Sequence, residues 1–372
     1  MTRYRPTVVE VDLDAVRHNV RLLKPPKAEL MAIVKADGYG LGADPVARAA
    51  LEAGASRLGV ALVEEGLSLR EAGIDAPVLV LTEFPAGSEK EALEAGLTPS
   101  VYSEAGLEGL AEAAHATGRP VGAHVKLDTG MHRVGLWPPE EAPAFARRVL
   151  DAGIELDGVW THFADSERDD EGTLRQLASF RSAVAALAGA GVHPAVLHAA
   201  NSGATIRLPE THLDLVRPGA AVYGLDPGDG LADRARLRPA LAWRSAVSMV
   251  KRLPAGERLS YGGRYTLERT STIATVPVGY DDGYPRTAVG AEVLIGGVRR
   301  PVAGTITMDQ IVVDCGDGEV APGDEVVLIG AQGDERITAD ELAERAGTIA
   351  RAIATGIGGR VPREYVSTEA PE

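Results

Sequence analysis

A lysine at the end of a short apolar segment is the first residue of this chain whose position suggests chemistry. Lys35 follows the apolar residues 30–34 and precedes a turn that contains Gly38 and Gly40. A short apolar segment that ends at glycines is typical of a buried strand, and an ammonium group at the end of such a strand is costly to desolvate. Lys35 therefore reaches water, pairs with another group, or acts as a chemically active amine.

Seven further apolar segments follow up to about residue 225, and stretches with helical spacing separate them. The eight predicted strands are residues 31–34, 58–63, 78–81, 100–102, 123–127, 158–161, 195–198 and 213–216. Alternation of strands and helices predicts parallel pairing through crossover connections. Eight such units indicate an α/β fold of the closed (β/α)8, TIM-like barrel type. An open doubly wound sheet is the rival topology.

The barrel interpretation predicts that chemical groups follow the ends of the strands. Such groups are Lys35 and Tyr39 after the first strand, residues 128–133 after the fifth, His162 after the sixth, Asn201 and Ser202 after the seventh, and Arg217, Gly219 and Ala220 after the eighth. Backbone N–H groups and a hydroxyl after strands seven and eight can hold a phosphate, although plain turns would have the same composition. A lysine that faces a phosphate site in one barrel is what pyridoxal phosphate requires, and Arg217 is a candidate partner for its ring nitrogen.

Residues 38–43 also match a dinucleotide-binding fingerprint. The segment reads GYGLGA, which fits G-x-G-x-x-G/A, and Glu64 follows the next predicted strand. In that motif the glycine-rich turn follows its strand directly, whereas Lys35 intervenes here. Eight strand–helix units also exceed one dinucleotide-binding domain. The barrel therefore remains the favoured interpretation.

The pattern changes after about residue 240, where β-rich segments alternate with turn residues. These segments are residues 241–253, 272–278, 292–295, 310–314 and 325–329. They predict a separate, mostly antiparallel β domain, and Thr338 with Glu341 predicts a capping box at the start of a helix. We predict a barrel over residues 8–235 and a β domain over residues 236–372, with residues 1–7 packing on the β domain and residues 368–372 disordered.

Composition narrows the function further. The chain has 38 basic and 53 acidic side chains and a formal net charge of -15, which argues against a nucleic-acid partner and against an anionic membrane surface. No apolar stretch approaches the length of a membrane span. Cys315 is the single cysteine, so a reducing, cytoplasmic location is expected. We predict that Cys315 is a small buried apolar group and not a nucleophile.

Nine segments in order along nearly the whole chain resemble motifs of the bacterial alanine racemases. They are AIVKADGYG at 32–40, KLDTGMHR at 126–133, THFA at 161–164, NS at 201–202, RPG at 217–219, SYG at 260–262, VGYDDG at 278–283, MDQ at 308–310 and RVPR at 360–363. Members of that family are isomerases that use pyridoxal 5'-phosphate in a barrel followed by a C-terminal β domain. The resemblance implies racemisation of alanine by two-base proton transfer, with supply of D-alanine for peptidoglycan as the associated role.

The resemblance also implies a role for each matching residue. Lys35 binds the cofactor covalently and is one catalytic base, and Tyr261 is the other. The further cofactor contacts are Tyr39, His162, Asn201, Ser202, Arg217, Gly219 and Ala220. The substrate contacts are Arg133, Tyr280 and Met308, with Lys126, Asp309, Arg286 and Arg351 in support. Lys126 matches a lysine that is carbamylated in many relatives. Because Tyr261, Tyr280 and Met308 come from the other subunit in the family, a homodimer is implied.

The chemistry of racemisation agrees with these roles. A planar carbanion must be protonated from either face, so two bases must flank Cα, and Lys35 and Tyr261 are the candidates. Arg133 and Arg217 would supply a positive field that favours the deprotonated bases. An arginine cannot readily accept a proton from the ring nitrogen, so we expect Arg217 to keep the cofactor ring neutral and to limit side transamination.

Departures from the family pattern leave alternatives open. Leu41 replaces a common histidine, Thr305 and Thr307 replace a frequent Arg and Cys, and Arg351 replaces a usual tyrosine. Because Arg351 changes size and charge near the substrate, serine or a larger amino acid is an alternative to alanine. A fold-related decarboxylase and a non-catalytic cofactor carrier are further alternatives. The decarboxylases need a cysteine near the cofactor, and the carriers lack the β domain.

Overall fold

The computed structural model describes residues 4–228 and 230–367, so the predicted disordered tail at residues 368–372 lies outside the described residues. Two compact units are present. One comprises Val16–Gly38 and Ala43–Arg238, and the other comprises the described residues before Val16, Tyr39–Gly42 and the residues from Pro239 onward. Within the part of the chain that is described, no helix has both the length and the apolar character needed to cross a membrane.

The first unit is built on a parallel sheet that closes into a barrel. Its strands, in spatial order, are Leu97–Thr98, Val78–Val80, Arg57–Val60, Glu29–Ile33, Leu215–Val216, Val196–His198, Glu155–Trp160, Gly122–Lys126 and Ser100–Val101. The first and last of these are consecutive in the chain, and the Pro99 carbonyl between them accepts the His124 N–H at 2.9 Å. Pro99 divides the fourth strand because proline donates no ladder hydrogen bond. The predicted (β/α)8 barrel is confirmed.

Helices follow the barrel strands, as predicted. They are Ala43–Glu52, Val63–Glu71, Glu89–Glu94, Glu104–Thr117, Ala142–Asp151, Asp170–Gly189, Ser202–Arg207 and Leu231–Arg234, and Leu13–Leu23 precedes the first strand. Local sequence sets several of their starts: the Ser103 hydroxyl accepts the Gly106 N–H at 3.0 Å and the Asp169 carboxylate accepts the Gly172 N–H at 2.8 Å. These N-caps satisfy backbone donors that the helix itself leaves free.

The strand Val8–Asp12 lies within the range predicted for the barrel, but it belongs to the second unit. It pairs antiparallel with Leu241–Ala246 and parallel with Arg363–Val366. In the second unit its valines are buried, and each edge of the strand forms hydrogen bonds with a neighbouring strand. Arg5, just before this strand, forms an ion pair with Asp282 at 2.6 Å within the same unit.

The second unit contains two main sheets. The larger runs in the order Val298–Pro301, Glu292–Ile295, Glu325–Gln332, Leu241–Ala246, Val8–Asp12 and Arg363–Val366, with Glu335–Ile337 beside Glu325–Gln332. The smaller contains Met249–Leu253, Ser271–Val276 and Ile311–Gly316, and a short hairpin joins Arg258–Leu259 to Tyr265–Thr266. Two helices, Ala339–Ala346 and Ala350–Gly356, complete the unit. The predicted, mostly antiparallel β domain is confirmed, and the parallel pair with Val8–Asp12 is the exception.

The predicted capping box at Thr338 forms only in part. The Thr338 hydroxyl accepts the Glu341 N–H at 3.0 Å, which makes Thr338 the N-cap. The Glu341 carboxylate instead accepts from Arg299 Nη1 at 2.5 Å. A charge-assisted bond to a guanidinium is stronger than a bond to a neutral N–H, so the ion pair replaces the reciprocal half of the box.

Candidate active site

Lys35 stands at the start of one left-handed turn. It follows the strand Glu29–Ile33, and residues 36–39 all have positive φ, between 51° and 61°. The Gly38 N–H closes the turn by donating to the Val34 carbonyl at 2.9 Å. A left-handed residue with a Cβ costs of the order of 1–3 kcal/mol and is found where surrounding structure enforces it, often at functional sites. The sequence predicted a turn here but not its strained backbone.

Lys126 lies at the end of the strand Gly122–Lys126 and is 4% exposed. Its Nζ lies 4.2 Å from the centroid of the Trp160 ring, an attractive cation–π geometry. Burial lowers the pKa of Lys126 to about 7, and the charges of Arg133 and Arg217 act in the same direction. The amine is therefore partly neutral near physiological pH.

Arg217 is buried, and it is held by neutral groups. Its Nη2 donates to the carbonyls of Thr161 at 2.8 Å and Ala199 at 3.0 Å, and its Nη1 donates to His198 Nδ1 at 3.1 Å. Nη2 also lies 3.4 Å from His162 Nδ1. Burial lowers the pKa of Arg217 to about 9, so the guanidinium stays charged at neutral pH. A buried cation surrounded by neutral groups is suited to face an anionic or electron-rich ligand.

A pair of buried histidines extends from Arg217 through the barrel interior. Arginine only donates hydrogen bonds, so His198 Nδ1 accepts from Arg217, and the network assigns the His198 proton to Nε2. That nitrogen donates to His124 Nδ1 at 2.8 Å, and burial lowers the pKa of His124 to about 3. The hydrogen bonds therefore run in one direction: Arg217 donates to His198, and His198 donates to His124. Sequence reasoning missed this pair, although His124 and Lys126 share one strand face by their spacing of two.

His162 and Arg133 occupy the loops that follow the sixth and fifth strands. Burial and the charge of Arg217 hold the pKa of His162 well below its usual range, and the charges of Lys126, Arg133 and Lys35 act in the same direction. The Asp128 carboxylate orders the loop that leads to Arg133, because it accepts three consecutive backbone N–H groups of residues 130–132 at 2.9–3.0 Å. Lys35, Lys126, Arg133, His162 and Arg217 are called the barrel cluster below.

The residues after strands seven and eight are tied to each other. The Ser202 hydroxyl accepts N–H groups from Gly219 at 2.9 Å and Ala221 at 3.3 Å, which leaves its own proton to donate. The Asn201 side-chain oxygen caps the helix Ser202–Arg207 and also accepts from Ser166 at 2.6 Å. The predicted donors Ser202, Gly219 and Ala220 are therefore brought together, whereas the Gly219 N–H and the Asn201 oxygen already have protein partners.

Tyr39 and Arg351 are both in the second unit and interact electrostatically. Burial raises the pKa of the Tyr39 phenol, and the charge of Arg351 opposes that shift. The segment Tyr39–Gly42 packs closely here, since a Cβ at Gly40 would lie 3.1 Å from Thr355 Cα. The Gly40 carbonyl accepts from Arg363 Nε at 2.9 Å. The helix Ala350–Gly356 thus places Arg351 beside a predicted phosphate contact.

The second unit carries a surface depression lined by the three residues predicted to come from the other subunit. Tyr261, Tyr280 and Met308 line it together with Arg286, Thr305 and Asp309; this set is called the β-domain depression below. Tyr261 is 75% exposed and Met308 is 51% exposed. Ordered backbone supports them, because Tyr280 N–H donates to the Thr307 carbonyl at 3.0 Å and Asp281 N–H donates to the Met308 carbonyl at 3.1 Å.

Cys315 is fully buried in the strand Ile311–Gly316, and burial raises the pKa of its thiol. This confirms the prediction of a small buried apolar group. A buried, protonated thiol does not meet the requirement of the decarboxylase alternative for a reactive cysteine beside the cofactor.

The barrel cluster together with Ser202 fits pyridoxal phosphate by the chemistry of its donors. Lys35 offers an amine, and Arg217 offers a buried guanidinium with neutral partners. Ser202 offers a hydroxyl proton beside ordered backbone amides. The positive charges that lower the pKa of Lys126 would attract a doubly charged phosphate ester. No residue of this set conflicts with a lysine-bound, phosphorylated, electron-withdrawing ring.

Comparison with known proteins identifies relatives over the whole chain. The family model "Alanine racemase, N-terminal domain" matches residues 11–227, and "Alanine racemase, C-terminal domain" matches residues 240–365. A protein from Symbiobacterium thermophilum named alanine racemase is 49% identical over 366 residues, which cover 97% of this chain and 97% of the relative. Another relative of that name, from Salinispora tropica, is 47% identical over 365 residues, with 96% and 97% coverage.

Solved structures of alanine racemases also match this chain over nearly its whole length. Alanine racemase from D-cycloserine-producing Streptomyces lavendulae superposes with a TM-score of 0.93 at 44% identity, covering 98% of both chains. Alanine racemase from Bacillus anthracis with bound L-Ala-P superposes with a TM-score of 0.92 at 38% identity, covering 99% of this chain and 97% of that one.

Proposed function

Because this chain belongs to the alanine racemase family of pyridoxal-phosphate-dependent isomerases, we propose that it interconverts L-alanine and D-alanine, with Lys35 and Tyr261 as the two bases. The observation that carries the assignment of residues is Arg217. It is a buried guanidinium whose hydrogen-bond partners are all neutral, at the strand ends of the barrel that also carry Lys35. Alanine is the proposed substrate, and serine remains the alternative that Arg351 raises.

The cofactor, when bound, withdraws electrons from Cα of the amino acid and makes its proton acidic. The Lys35 amine would take that proton, or the Lys35 ammonium would return it, on one face, and the Tyr261 phenolate or phenol would do the same on the other. Arg217 would donate toward the ring nitrogen and could not take its proton. Tyr39, His162, Asn201, Ser202, Gly219 and Ala220 are proposed to hold and orient the cofactor. Arg133, Tyr280 and Met308 are proposed to hold the substrate, with Lys126, Asp309, Arg286 and Arg351 in support.

We further propose that the active enzyme is a homodimer in which one chain supplies the barrel cluster and its partner supplies the β-domain depression. Support comes from the exposure of Tyr261, Tyr280 and Met308, because a proton-transfer base needs a site that excludes bulk water. A cluster of exposed aromatic and apolar side chains is also typical of an interaction surface. A cytoplasmic location is proposed as well, supported by the free thiol of Cys315.

The activity is tested with L-alanine in deuterated buffer, where Cα exchange and chirality are read together. We expect deuterated alanine of both configurations. Retention of pure L-alanine, or release of carbon dioxide, would overturn the assignment. A panel that includes L-serine ranks the two candidate substrates, and borohydride reduction followed by peptide mapping should place the cofactor on Lys35.

The shared site is tested by mixing two inactive variants, Lys35→Ala and Tyr261→Ala. In a mixed dimer one site regains both intact bases, so equal amounts with free subunit exchange should recover roughly a quarter of wild-type activity. If both bases come from one chain, mixing recovers no activity. Each variant incubated alone under the same conditions is the control.

A further inference from the structure

Two predicted substrate contacts of the β-domain depression are held against each other by backbone. Besides the two hydrogen bonds between residues 280–281 and 307–308, Gly279 packs directly on the loop that contains Thr307 and Met308, and a Cβ at Gly279 would collide with the carbonyls of both residues. Only glycine allows this approach. The backbone around Tyr280 is therefore fixed against the backbone around Met308.

This arrangement places negatively charged side chains beside the β-domain depression. Asp281 follows Tyr280 directly and Asp309 follows Met308 directly, and their side chains are 51% and 59% exposed. Asp282 beside them is buried, and its carboxylate accepts the Gly279 N–H at 2.9 Å and pairs with Arg5. Carboxylates beside the depression would repel the carboxylate of an amino-acid substrate unless they are neutralised.

Arg360 meets both exposed carboxylates. Its Nη1 pairs with Asp281, its Nη2 lies 2.8 Å from Asp309, and its Nε lies 3.6 Å from Asp282. One planar guanidinium thus joins the residue after Tyr280 to the residue after Met308. Arginine suits this task because its donors form a rigid fork that can engage two carboxylates at once.

We propose that Arg360 is a positioning residue for the substrate carboxylate, which fixes Tyr280 to Met308 and neutralises Asp281 and Asp309 so that an anionic group can approach. This inference rests on the proposed function, because it assumes that the β-domain depression receives the substrate. It assigns no proton transfer to Arg360. The hydrogen bonds to Asp309 and Asp281 also raise the pKa of Arg360.

The first test is Arg360→Gln in the holoenzyme, assayed with L-alanine and D-alanine. Loss of the charge should raise KM for both enantiomers roughly threefold to tenfold, with a smaller change in kcat, because the substrate carboxylate is affected and the two bases are not. The increase should shrink at high salt, since screening weakens like-charge repulsion. A merely structural role would not produce this salt dependence.

Two additional variants separate loss of the Arg360 charge from a general structural defect. Arg360→Lys retains the charge and should retain most of the affinity for alanine. Arg360→Gln combined with Asp281→Asn removes one carboxylate with the cation, so its KM should fall back toward the wild-type value. Each variant is compared by circular dichroism and by molar mass at the assay concentration, so that unfolding or dissociation is detected.

Arg252→Gln is the matched control, because Arg252 forms a similarly exposed ion pair with Asp317 at 2.6 Å in the same unit but away from the β-domain depression. Its KM should equal that of the wild type. The inference is overturned if folded Arg360→Gln keeps the wild-type KM, or if the double variant and high salt leave its raised KM unchanged. Failure of the proposed function is distinguishable, since the wild-type enzyme would then not racemise alanine.

Discussion

The barrel cluster and the β-domain depression differ in the physical means that set their chemistry. In the barrel, burial dominates: Lys126 and Arg217 are almost inaccessible, and desolvation is the largest cause of their lowered pKa values. In the depression the side chains are exposed, and backbone contacts and ion pairs fix their positions. The buried barrel residues are therefore preorganised within one chain, whereas Tyr261, Tyr280 and Met308 of the depression are exposed to solvent.

This contrast indicates how the two halves are used. A cationic cluster built around the buried Lys126 and Arg217 is suited to hold an anionic cofactor permanently, because desolvated charges bind a counter-charge strongly. An exposed, rigid depression is suited to an interface that closes over a small substrate. Because the barrel cluster and the β-domain depression lie in different units, substitutions can disable each of them separately.

Lys35→Ala should abolish the function of the barrel cluster. Without the amine, the cofactor has no covalent attachment and one face of Cα has no base, so kcat should fall by at least about 10³-fold in both directions. The measurement is racemisation of L-alanine and D-alanine by chiral chromatography. Lys27→Ala, at an exposed position, is the control and should keep full activity. Substantial activity of Lys35→Ala would remove Lys35 from the mechanism.

Tyr261→Phe should remove the base that the β-domain depression supplies and leave the barrel cluster intact. Losing only the hydroxyl should lower racemisation by roughly 10²- to 10⁴-fold, while Lys35 continues to exchange the Cα proton of one enantiomer in deuterated buffer. Mass spectrometry of each enantiomer measures this asymmetry. Tyr265→Phe, which removes a phenol bonded to Asp314 at 3.0 Å in the same unit, should keep racemisation. Equal loss of exchange for both enantiomers would contradict a one-face role for Tyr261.

The pH dependence of stability should report the burial of Lys126. Its pKa is about 7 in the folded chain against 10.5 for an ordinary lysine, so between these values the unfolded chain binds more protons. The free energy of unfolding of the cofactor-free protein should then rise with pH in this window, and Lys126→Met should lose that rise. Urea unfolding at about pH 7 and about pH 9 measures the difference.

The control for this pH effect is Lys90→Met, since Lys90 is an exposed partner of Glu94 and its replacement should leave the pH dependence as in the wild type. If wild type and Lys126→Met gain the same stability between the two pH values, Lys126 is not desolvated as the barrel cluster requires.

Arg351→Tyr should have the smallest effect, because Arg351 lies beside Tyr39 and is not assigned to proton transfer. Replacing the cation by a phenol should raise the ratio of alanine to serine turnover by roughly twofold to threefold, the size expected from a change in pocket shape and one partly exposed charge. Arg345→Tyr, at an exposed position on the neighbouring helix, is the control. An unchanged ratio would show that Arg351 does not select the substrate.

Several features resisted prediction for identifiable reasons. Val8–Asp12 follows the alternation of a strand, and nothing local distinguishes pairing in the barrel from pairing with Leu241–Ala246, more than 200 residues away. The carboxylate of Glu341 has two possible partners, and only folding brings Arg299 to it. The positive φ values after Lys35 occur at Ala36, Asp37 and Tyr39. A left-handed backbone is uncommon for any residue with a Cβ, including Asp, which adopts it more often than Ala or Tyr, so the sequence does not predict it here.

Strand–helix alternation and contiguous motifs are local properties of the chain, so the amino-acid sequence was enough to predict the class of fold, the order of the two regions and the candidate catalytic and binding residues. Which of those residues are buried, which are exposed, and therefore which pKa values shift could be read only from the folded chain. It also revealed the buried His124–His198 pair and the contacts of Arg360 with Asp281 and Asp309. Burial, desolvation and charge pairing depend on groups that are distant in sequence, and these become neighbours only when the chain folds.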